Sequence, residues 1–276
     1  MALLNFFGSH MNQAQRRLFL IESLLNENTE YQSIDIPKES ALQKQLLRGL
    51  MNIRAPQDTG KKFIKIQDTY LQAELEKQPV THVSDLTPVT PGLYLWQGDI
   101  TKLQCDAIVN AANSGLTGCY IPNHRCIDNA IHTFAGVQLR QACAQLMEQQ
   151  GYPEPTGQAK ITPAFNLPCR YVLHTVGPII RGRVTDRDRE LLASCYRSCL
   201  ELAAQNGLES VAFCCISTGE FHFPNEQAAQ IAIDTVKQFM PAQTSVKKVI
   251  FNVFKDMDKQ IYARLLETNQ TPANRV

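Results

Sequence analysis

The sequence predicts a three-layer α/β domain with a mixed central sheet, preceded by a mainly helical N-terminal extension. From residue 93 onward, short apolar runs rich in β-branched and aromatic residues alternate with longer segments of helical periodicity. That alternation is typical of a sheet covered by helices. Residues 11–78 instead carry apolar side chains at helical spacing, for example Leu42, Leu46 and Leu50, which favours a group of helices.

Three helices are predicted in the extension, over residues 16–26, 38–50 and 68–77. Residues 79–92 are predicted to be a linker, because prolines and a glycine interrupt the helical pattern there. We expect the extension to cap the larger domain, with a lid and a partner-binding surface as open alternatives. Residues 1–10 end in Gly-Ser-His directly before Met11, which is typical of a cloning remnant, and they are left out of the fold prediction.

The larger domain is predicted over residues 93–270. Its strands are predicted at residues 93–96, 107–109, 171–176, 210–216 and 248–254. Helices are predicted between them at residues 128–149, 188–206 and 224–240. Loops that follow buried strands are where such folds build their sites, so the segments after these strands are the first place to look for function.

Composition bounds the function only loosely. The chain has 276 residues and a formal net charge of +1, which gives no electrostatic reason to expect nucleic acid or an anionic membrane as the main partner. The cysteine count of 9 is odd, and no charged segment followed by an apolar run opens the chain, so we expect a reducing cytoplasm. No apolar run approaches the roughly 20 residues that span a bilayer.

One short loop concentrates metal-ligating side chains. Cys119, His124 and Cys126 follow the strand predicted at 107–109 within a single loop. Two thiolates and one imidazole suit Zn²⁺, and three protein ligands leave a fourth position for water or substrate, as in catalytic zinc sites. The nearest further ligand, His132, is expected on the following helix. The residues alone leave two interpretations open. One is a zinc site, and the other is two free cysteines beside a surface histidine.

Five segments of the chain, in a fixed order, resemble the macrodomain family, whose members bind ADP-ribose. They are residues 98–100 (Gly-Asp-Ile), 106–113 (Asp-Ala-Ile-Val-Asn-Ala-Ala-Asn), 128–132 (Asp-Asn-Ala-Ile-His), 172–178 (Val-Leu-His-Thr-Val-Gly-Pro) and 216–219 (Ile-Ser-Thr-Gly). The resemblance implies a macrodomain over residues 93–270.

The loop between the second and third segments departs from most macrodomains, which have a glycine-rich run there. Its cysteines and histidine make the chain similar to the zinc-containing macrodomains of microbes, which remove ADP-ribose from proteins. This resemblance implies that Cys119, His124 and Cys126 bind zinc.

The resemblance also implies an adenine site. The carboxylate of Asp99 is expected to accept a hydrogen bond from the adenine amino group, while the main-chain N–H of Ile100 donates to a ring nitrogen. Phe254 resembles the aromatic residue that packs on the adenine face in many members, with an ordinary core position as the alternative.

For the pyrophosphate, the run Ser217-Thr218-Gly219-Glu220-Phe221 is expected to present main-chain N–H groups beside the start of the helix predicted at 224–240. A simple turn between strand and helix is the alternative. Phe221 matches an aromatic residue beside the distal ribose, whereas Glu220 departs from the apolar residue that is commoner at its position.

Two residues are implied to act on the distal ribose. The carboxamide of Asn113 can both donate to and accept from a hydroxyl. Asp128 matches a position that is catalytic in several hydrolases of the family, with a helix-start Asp stabilised by the helix dipole as the alternative. His132 and His174 are expected to be structural.

The resemblance implies a zinc-dependent hydrolase that removes ADP-ribose from a modified protein. Similarity to members that work beside sirtuin-type ADP-ribosyltransferases implies a carboxylate-linked modification on a lipoyl-carrier protein. Two alternatives are a non-catalytic reader of ADP-ribose, in which the metal only orders the loop, and an enzyme that deacetylates O-acetyl-ADP-ribose.

Overall fold

The computed structural model describes residues 11–242 and 244–268. The segment predicted to be a cloning remnant, 1–10, and the last two residues of the domain predicted over 93–270 lie outside this range. Within it, no helix is both long and apolar enough to cross a membrane.

Three helices come first, five strands follow from residue 81, and helices and strands share the rest of the described chain. The strands are β1 (Thr81–His82), β2 (Pro88–Thr90), β3 (Leu93–Gln97), β4 (Leu103–Gln104), β5 (Ala107–Ala111), β6 (Ala159–Pro163), β7 (Tyr171–Thr175), β8 (Ser210–Phe213) and β9 (Lys248–Val253). The helices are α1 (Gln13–Asn26), α2 (Ser40–Ile53), α3 (Lys61–Leu75), α4 (Ile127–Ala135), α5 (Val137–Gln150), α6 (Asp186–Gln205), α7 (Asn225–Phe239) and α8 (Asp256–Thr268).

Seven of these strands form one mixed sheet in the order β2-β3-β9-β8-β5-β7-β6. The strands β3, β9, β8, β5 and β7 run parallel to one another, whereas β2 and β6 are antiparallel to their neighbours. Helices cover both sides, so the inner strands are buried along their length, as Val249, Ile250 and Phe251 of β9 show. The predicted three-layer α/β architecture with a mixed sheet is confirmed.

The structure differs from the predicted elements at several places, and α3 for example begins at Lys61, seven residues before the predicted start. Residues 79–92, predicted to be a linker, contain β1, which pairs with β4, and β2, which extends the main sheet beside β3. The helix predicted at 128–149 is two helices, α4 and α5. They separate at Gly136, whose φ of +95° favours glycine and whose Cβ would lie 2.6 Å from the Gln67 side chain. Strand β6 and helix α8 were not predicted.

Helices α1, α2 and α3 share a hydrophobic core of their own, which includes Leu20, Leu47 and Phe63. Val137 at the start of α5 joins this core and so links the extension to the larger domain. Buried Arg140 of α5 strengthens the link, because its Nη1 donates to the carbonyls of Met51, Asn52 and Arg54 at the end of α2. The extension therefore packs on the α4–α5 side of the larger domain, as expected of a cap.

Candidate functional site

The predicted site residues follow the carboxyl ends of parallel strands. Asp99 comes after β3, Asn113 after β5, Ser217 after β8 and Phe254 after β9. Because these strands are parallel and adjacent, their carboxyl ends meet at one edge of the sheet. Ligands of open α/β sheets bind at this edge. The sheet therefore gathers residues that are far apart in sequence into one site.

The three predicted metal ligands are brought together between β5 and α4, in residues 119–126, which we call the metal-ligating loop after these candidate ligands. The ligand atoms of Cys119, His124 and Cys126 all lie within 4.8 Å of one another. The Sγ of Cys119 is 3.5 Å from Nδ1 of His124. A tetrahedral ion with a metal–sulfur bond of about 2.3 Å and a metal–nitrogen bond of about 2.0 Å separates such atoms by roughly 3.5 Å. The donor set and its spacing fit Zn²⁺.

Cys126 is both a ligand candidate and the N-cap of α4. Its Sγ accepts from the N–H of Asn129 at 3.4 Å, so the start of the helix orients the sulfur. Burial raises the pKa of the Cys126 thiol, while this hydrogen bond opposes the shift. A metal ion would replace the thiol proton, since thiols bind metals as thiolates.

Glu220 lies against the other ring nitrogen of His124. Its Oε1 is 3.6 Å from Nε2 of His124, and its side chain is 71% exposed. A carboxylate in this position can accept the ring N–H that faces away from a metal and so orient the imidazole. Glu220, which stands where an apolar residue is commoner in the family, therefore connects the loop after β8 to the metal-ligating loop.

Asp128 occupies a buried position in the first turn of α4, two residues after Cys126. Its Oδ1 accepts from Nδ2 of Asn110 at 2.8 Å and lies 3.5 Å from Nε2 of His132. Burial raises the pKa of Asp128 to about 6, although the bond from Asn110 opposes this. Asn110, which we did not predict as a site residue, is the closest hydrogen-bond partner of the carboxylate. Its place at the polar end of an apolar strand is the signal that could have identified it.

Asn113 holds the backbone that leads into the metal-ligating loop. Its Oδ1 accepts from the N–H of Gly115 at 3.0 Å, and its Nδ2 donates to the carbonyl of Gly118 at 3.0 Å. The same Nδ2 lies 3.5 Å from Oδ2 of Asp128. The two predicted catalytic side chains are therefore neighbours.

The loop after β8 presents free backbone donors. Among the described residues, the N–H groups of Gly219, Glu220 and Phe221 have no hydrogen-bond acceptor, whereas those of His222 and Phe223 bond back into the loop. Such consecutive free N–H groups just before a helix form an anion-binding site. A Cβ on Gly219 would meet no atom within 4 Å, so the loop is open on that side.

The residues predicted to contact adenine lie at the ends of β3 and β9. Asp99 uses Oδ1 to accept from the N–H and hydroxyl of Thr101 at 3.0 and 2.6 Å, which leaves Oδ2 facing outward beside Lys102 at 3.8 Å. The N–H of Ile100 has no acceptor among the described residues. Phe254 is 76% exposed, so it is not the core phenylalanine that was the alternative.

A second group of ligand-type side chains, His132, Cys143 and His174, is buried beneath Asp128 with its ligand atoms within 4.8 Å of one another. Both ring nitrogens of His174 already have partners, namely Asn110 at 3.2 Å and Thr162 at 2.9 Å. Burial raises the pKa of the Cys143 thiol to about 12, which keeps its proton in place at neutral pH. We interpret this group as a structural polar core, in line with the prediction for both histidines.

Sequence reasoning missed the contribution of α2 to the site. Arg48 donates to the carbonyl of His124 at 3.1 Å, and Asn52 accepts from the N–H of Asn123 at 2.9 Å. The two side chains are one helical turn apart, so they share a face. A polar pair among the apolar positions of a helix is the signal that could have indicated a contact with another part of the chain.

A sheet edge with an outward-facing carboxylate, a row of free backbone donors and a cluster of candidate metal ligands is typical of an α/β domain that binds a nucleotide diphosphate. The family model "Macro domain" matches residues 109–232. A protein-ADP-ribose hydrolase of Treponema medium is 58% identical over 93% of this chain and 100% of its own length. One from Staphylococcus aureus (strain MSSA476) is 47% identical over 88% of this chain and 92% of its own. The chain belongs to the macrodomain family.

Solved macrodomains agree with this assignment. One from Oceanobacillus iheyensis, with ADP, has a TM-score of 0.60 and 38% identity, covering 67% of this chain and 95% of its own. One from Trypanosoma brucei, in complex with ADP-ribose, has a TM-score of 0.59 and 29% identity, covering 96% of this chain and 95% of its own. About a third of this chain thus has no counterpart in the Oceanobacillus structure, whereas the alignment with the Treponema hydrolase is long enough to include α2.

Proposed function

We propose that this protein is a zinc-dependent hydrolase that releases ADP-ribose from a modified protein. The observation that carries the proposal is the placement of Cys119, His124 and Cys126 beside Asn113 and Asp128, at the edge of the sheet where macrodomains bind nucleotides. Relatives named protein-ADP-ribose hydrolase, with high identity over most of the chain, support the hydrolase class.

Different residues would bind the different parts of ADP-ribose. Asp99 and Ile100 offer an acceptor and a donor to the adenine edge, with the exposed ring of Phe254 available to its face. The free N–H groups of Gly219 and Glu220 can hold the pyrophosphate without a basic side chain. These contacts leave the distal ribose near the metal-ligating loop.

The chemistry would take place beside Asp128 and Asn113. When bound by the two cysteines and the histidine, zinc supplies Lewis acidity toward an oxygen of the ribose or its ester, or lowers the pKa of a bound water. Asn113 can orient a ribose hydroxyl. With a pKa raised to about 6, Asp128 can hold or accept a proton near neutral pH.

The preferred substrate is a carrier protein with ADP-ribose on an Asp or Glu side chain, made by a sirtuin-type ADP-ribosyltransferase, and a lipoyl-carrier protein is our choice. An ester at the distal ribose suits the site because zinc could polarise its carbonyl. Its cleavage also needs no amine to leave from a basic side chain of the substrate protein. A cytoplasmic location remains the expectation for such a substrate.

The test is a time course of label loss from a mono-ADP-ribosylated carrier protein, with the zinc content of the purified chain measured by elemental analysis. We expect one zinc per chain and turnover that is lost in Cys119→Ser, Cys126→Ser and Asn113→Ala. Serine at 126 keeps an N-cap acceptor for α4, so α4 should remain folded. Cys199→Ala changes a buried cysteine of α6 and serves as a matched control that keeps zinc and activity.

Three results would contradict the proposal. Absence of zinc in the active wild-type chain would remove the metal from the reaction. Stoichiometric binding without release of ADP-ribose, with zinc present and enzyme in excess, would favour the reader alternative. Faster turnover of free O-acetyl-ADP-ribose than of the modified protein would favour the deacetylase.

A further inference from the structure

The metal-ligating loop rests on one face of α2. Asn52 of α2 is only 1% exposed, and both ends of its carboxamide have partners. Its Oδ1 accepts from the N–H of Asn123 at 2.9 Å, while its Nδ2 donates to Oγ1 of Thr133 in α4 at 2.9 Å. Because a buried amide with both ends paired has little freedom, Asn52 holds loop and α4 in one relative position.

The contact with Asn52 falls where the loop turns sharply. Asn123 has a φ of +57°, in the left-handed region that costs most residues energy and that asparagine tolerates comparatively well. This residue directly precedes His124. A hydrogen bond to its N–H therefore supports a strained turn that sets the direction of the histidine ligand.

Arg48, one helical turn before Asn52, makes a second set of contacts. Its Nη2 donates to the carbonyl of His124 at 3.1 Å and to Oδ1 of Asn129 at 2.9 Å. Asn129 in turn donates from Nδ2 to the carbonyl of Ile121 at 3.1 Å and from its N–H to Sγ of Cys126 at 3.4 Å. Arg48 thus contacts the backbone of one ligand directly and reaches another through a single residue.

Gly49 permits this close approach. A Cβ at that position would lie 3.1 Å from Nδ2 of Asn123 and 3.7 Å from Cβ of Pro122, so a larger side chain would push the loop away. Arg140 holds the end of α2 in place through its contacts with three carbonyls, and its guanidinium lies 4.3 Å from the ring centre of Tyr120 in the loop. The face of α2 formed by Arg48, Gly49 and Asn52 is therefore fixed against the loop.

We propose that α2 is a built-in support for the metal centre, with Arg48 and Asn52 as positioning residues that hold the metal-ligating loop in its ligating conformation. The inference rests on the proposed zinc site and deepens it. It predicts that the N-terminal extension sets zinc affinity, although none of its side chains is among the ligands Cys119, His124 and Cys126. Groups that orient metal ligands typically change metal affinity by about 10- to 100-fold when removed.

The experiment measures zinc affinity in the full chain by competition with a chromogenic chelator, together with far-UV circular dichroism. We expect Arg48→Ala and Asn52→Ala to bind zinc 10- to 100-fold more weakly while keeping their helix content. Arg48→Lys keeps the charge, but its shorter and more flexible side chain should hold the two acceptors less firmly, so its zinc affinity should fall between wild type and Arg48→Ala. Gln45→Ala, an exposed position on the same helix, is the matched control and should bind zinc like wild type.

The outcomes separate this inference from the proposed function. A wild type that binds zinc together with Arg48→Ala and Asn52→Ala of unchanged affinity would overturn the support role and leave the zinc site standing. A wild type that binds no zinc would overturn both. If Asn52→Ala fails to fold, the two Arg48 variants decide, because Arg48 is partly exposed and Arg48→Lys keeps a donor for the buried carboxamide of Asn129.

Discussion

At the scale of single residues, Asp99 shows how one side chain can serve the fold and a ligand together. Its Oδ1 caps the turn at residues 100–102 through Thr101, and its Oδ2 faces outward at the edge of the sheet. The carboxylate is therefore fixed before any ligand arrives, which reduces the ordering that binding requires. Only the outer oxygen is free to recognise adenine.

We expect Asp99→Asn to weaken ADP-ribose binding more than tenfold, with loss of discrimination against GDP-ribose. Asparagine keeps an acceptor for Thr101 but loses the charge-assisted bond to the adenine amino group, worth roughly 1.5–3 kcal/mol. Isothermal calorimetry with both nucleotides measures the effect. Thr101→Val is the matched control, because it removes one bond to Oδ1 and keeps the outer oxygen. Equal wild-type affinity for ADP-ribose and GDP-ribose would refute the adenine assignment.

At the scale of elements, the loop between β8 and α7 combines a tight anchor with an open end. Ser217 has a φ of +65°, and its hydroxyl packs so closely on Gly177 that a Cβ there would lie 2.0 Å away. Two residues further on, Gly219 borders open space. The loop is thus held by its contact with the segment after β7, while its free N–H groups face outward.

The two glycines should respond differently to alanine. Gly219→Ala is expected to leave the melting temperature unchanged, because its methyl group meets no neighbour, and to weaken ADP-ribose binding about tenfold, because that methyl group would crowd a phosphate held by the adjacent N–H groups. Gly177→Ala should lower the melting temperature, since Ser217 must move. Thermal unfolding and calorimetry on both variants separate the effects. Unchanged ADP-ribose affinity in Gly219→Ala would argue against an anion site in this loop.

At the scale of the whole molecule, the three N-terminal helices are joined by a polar cluster as well as by their hydrophobic core. Glu74 of α3 accepts from Lys44 of α2 at 2.7 Å and from Gln13 of α1 at 2.9 Å, and it pairs with Lys77. Partial burial disfavours the ionised form, but the hydrogen bonds outweigh it and lower the pKa of Glu74 to about 2. The carboxylate therefore ties all three helices together.

This shift predicts how stability depends on pH. A depressed pKa in the folded state stabilises the fold above the ordinary value of 4.5, and the contribution disappears as the pH falls through about 2. Wild type should exceed Glu74→Gln in unfolding free energy by about 1 kcal/mol at pH 7, since the pairs are partly exposed, and match it near pH 2. Urea unfolding across this range is the measurement. Glu76→Gln changes an exposed neighbour and is the control. A difference in unfolding free energy between wild type and Glu74→Gln that does not shrink on acidification would contradict the assignment.

The sequence by itself determined the layered fold and the chemistry of the site. Hydrophobic periodicity is local, so it identified most strands and helices from short windows. Cys119, His124 and Cys126 lie in one loop, so their meeting needed no knowledge of packing. The segments carrying Asp99 and Ser217 could be placed because each follows a predicted strand, and parallel strands end at one edge.

Only the tertiary structure decided which distant groups complete the site. The partners Asn52 and Asn123 are 71 residues apart, and Glu220 reaches His124 from a different strand-to-helix loop. Such contacts depend on how helices pack, and no local pattern encodes them. The same holds for the break between α4 and α5 at Gly136, where the side chain of Gln67 leaves no room for a Cβ. It also holds for β2 in the predicted linker, which forms because it can pair with the edge of the main sheet at β3.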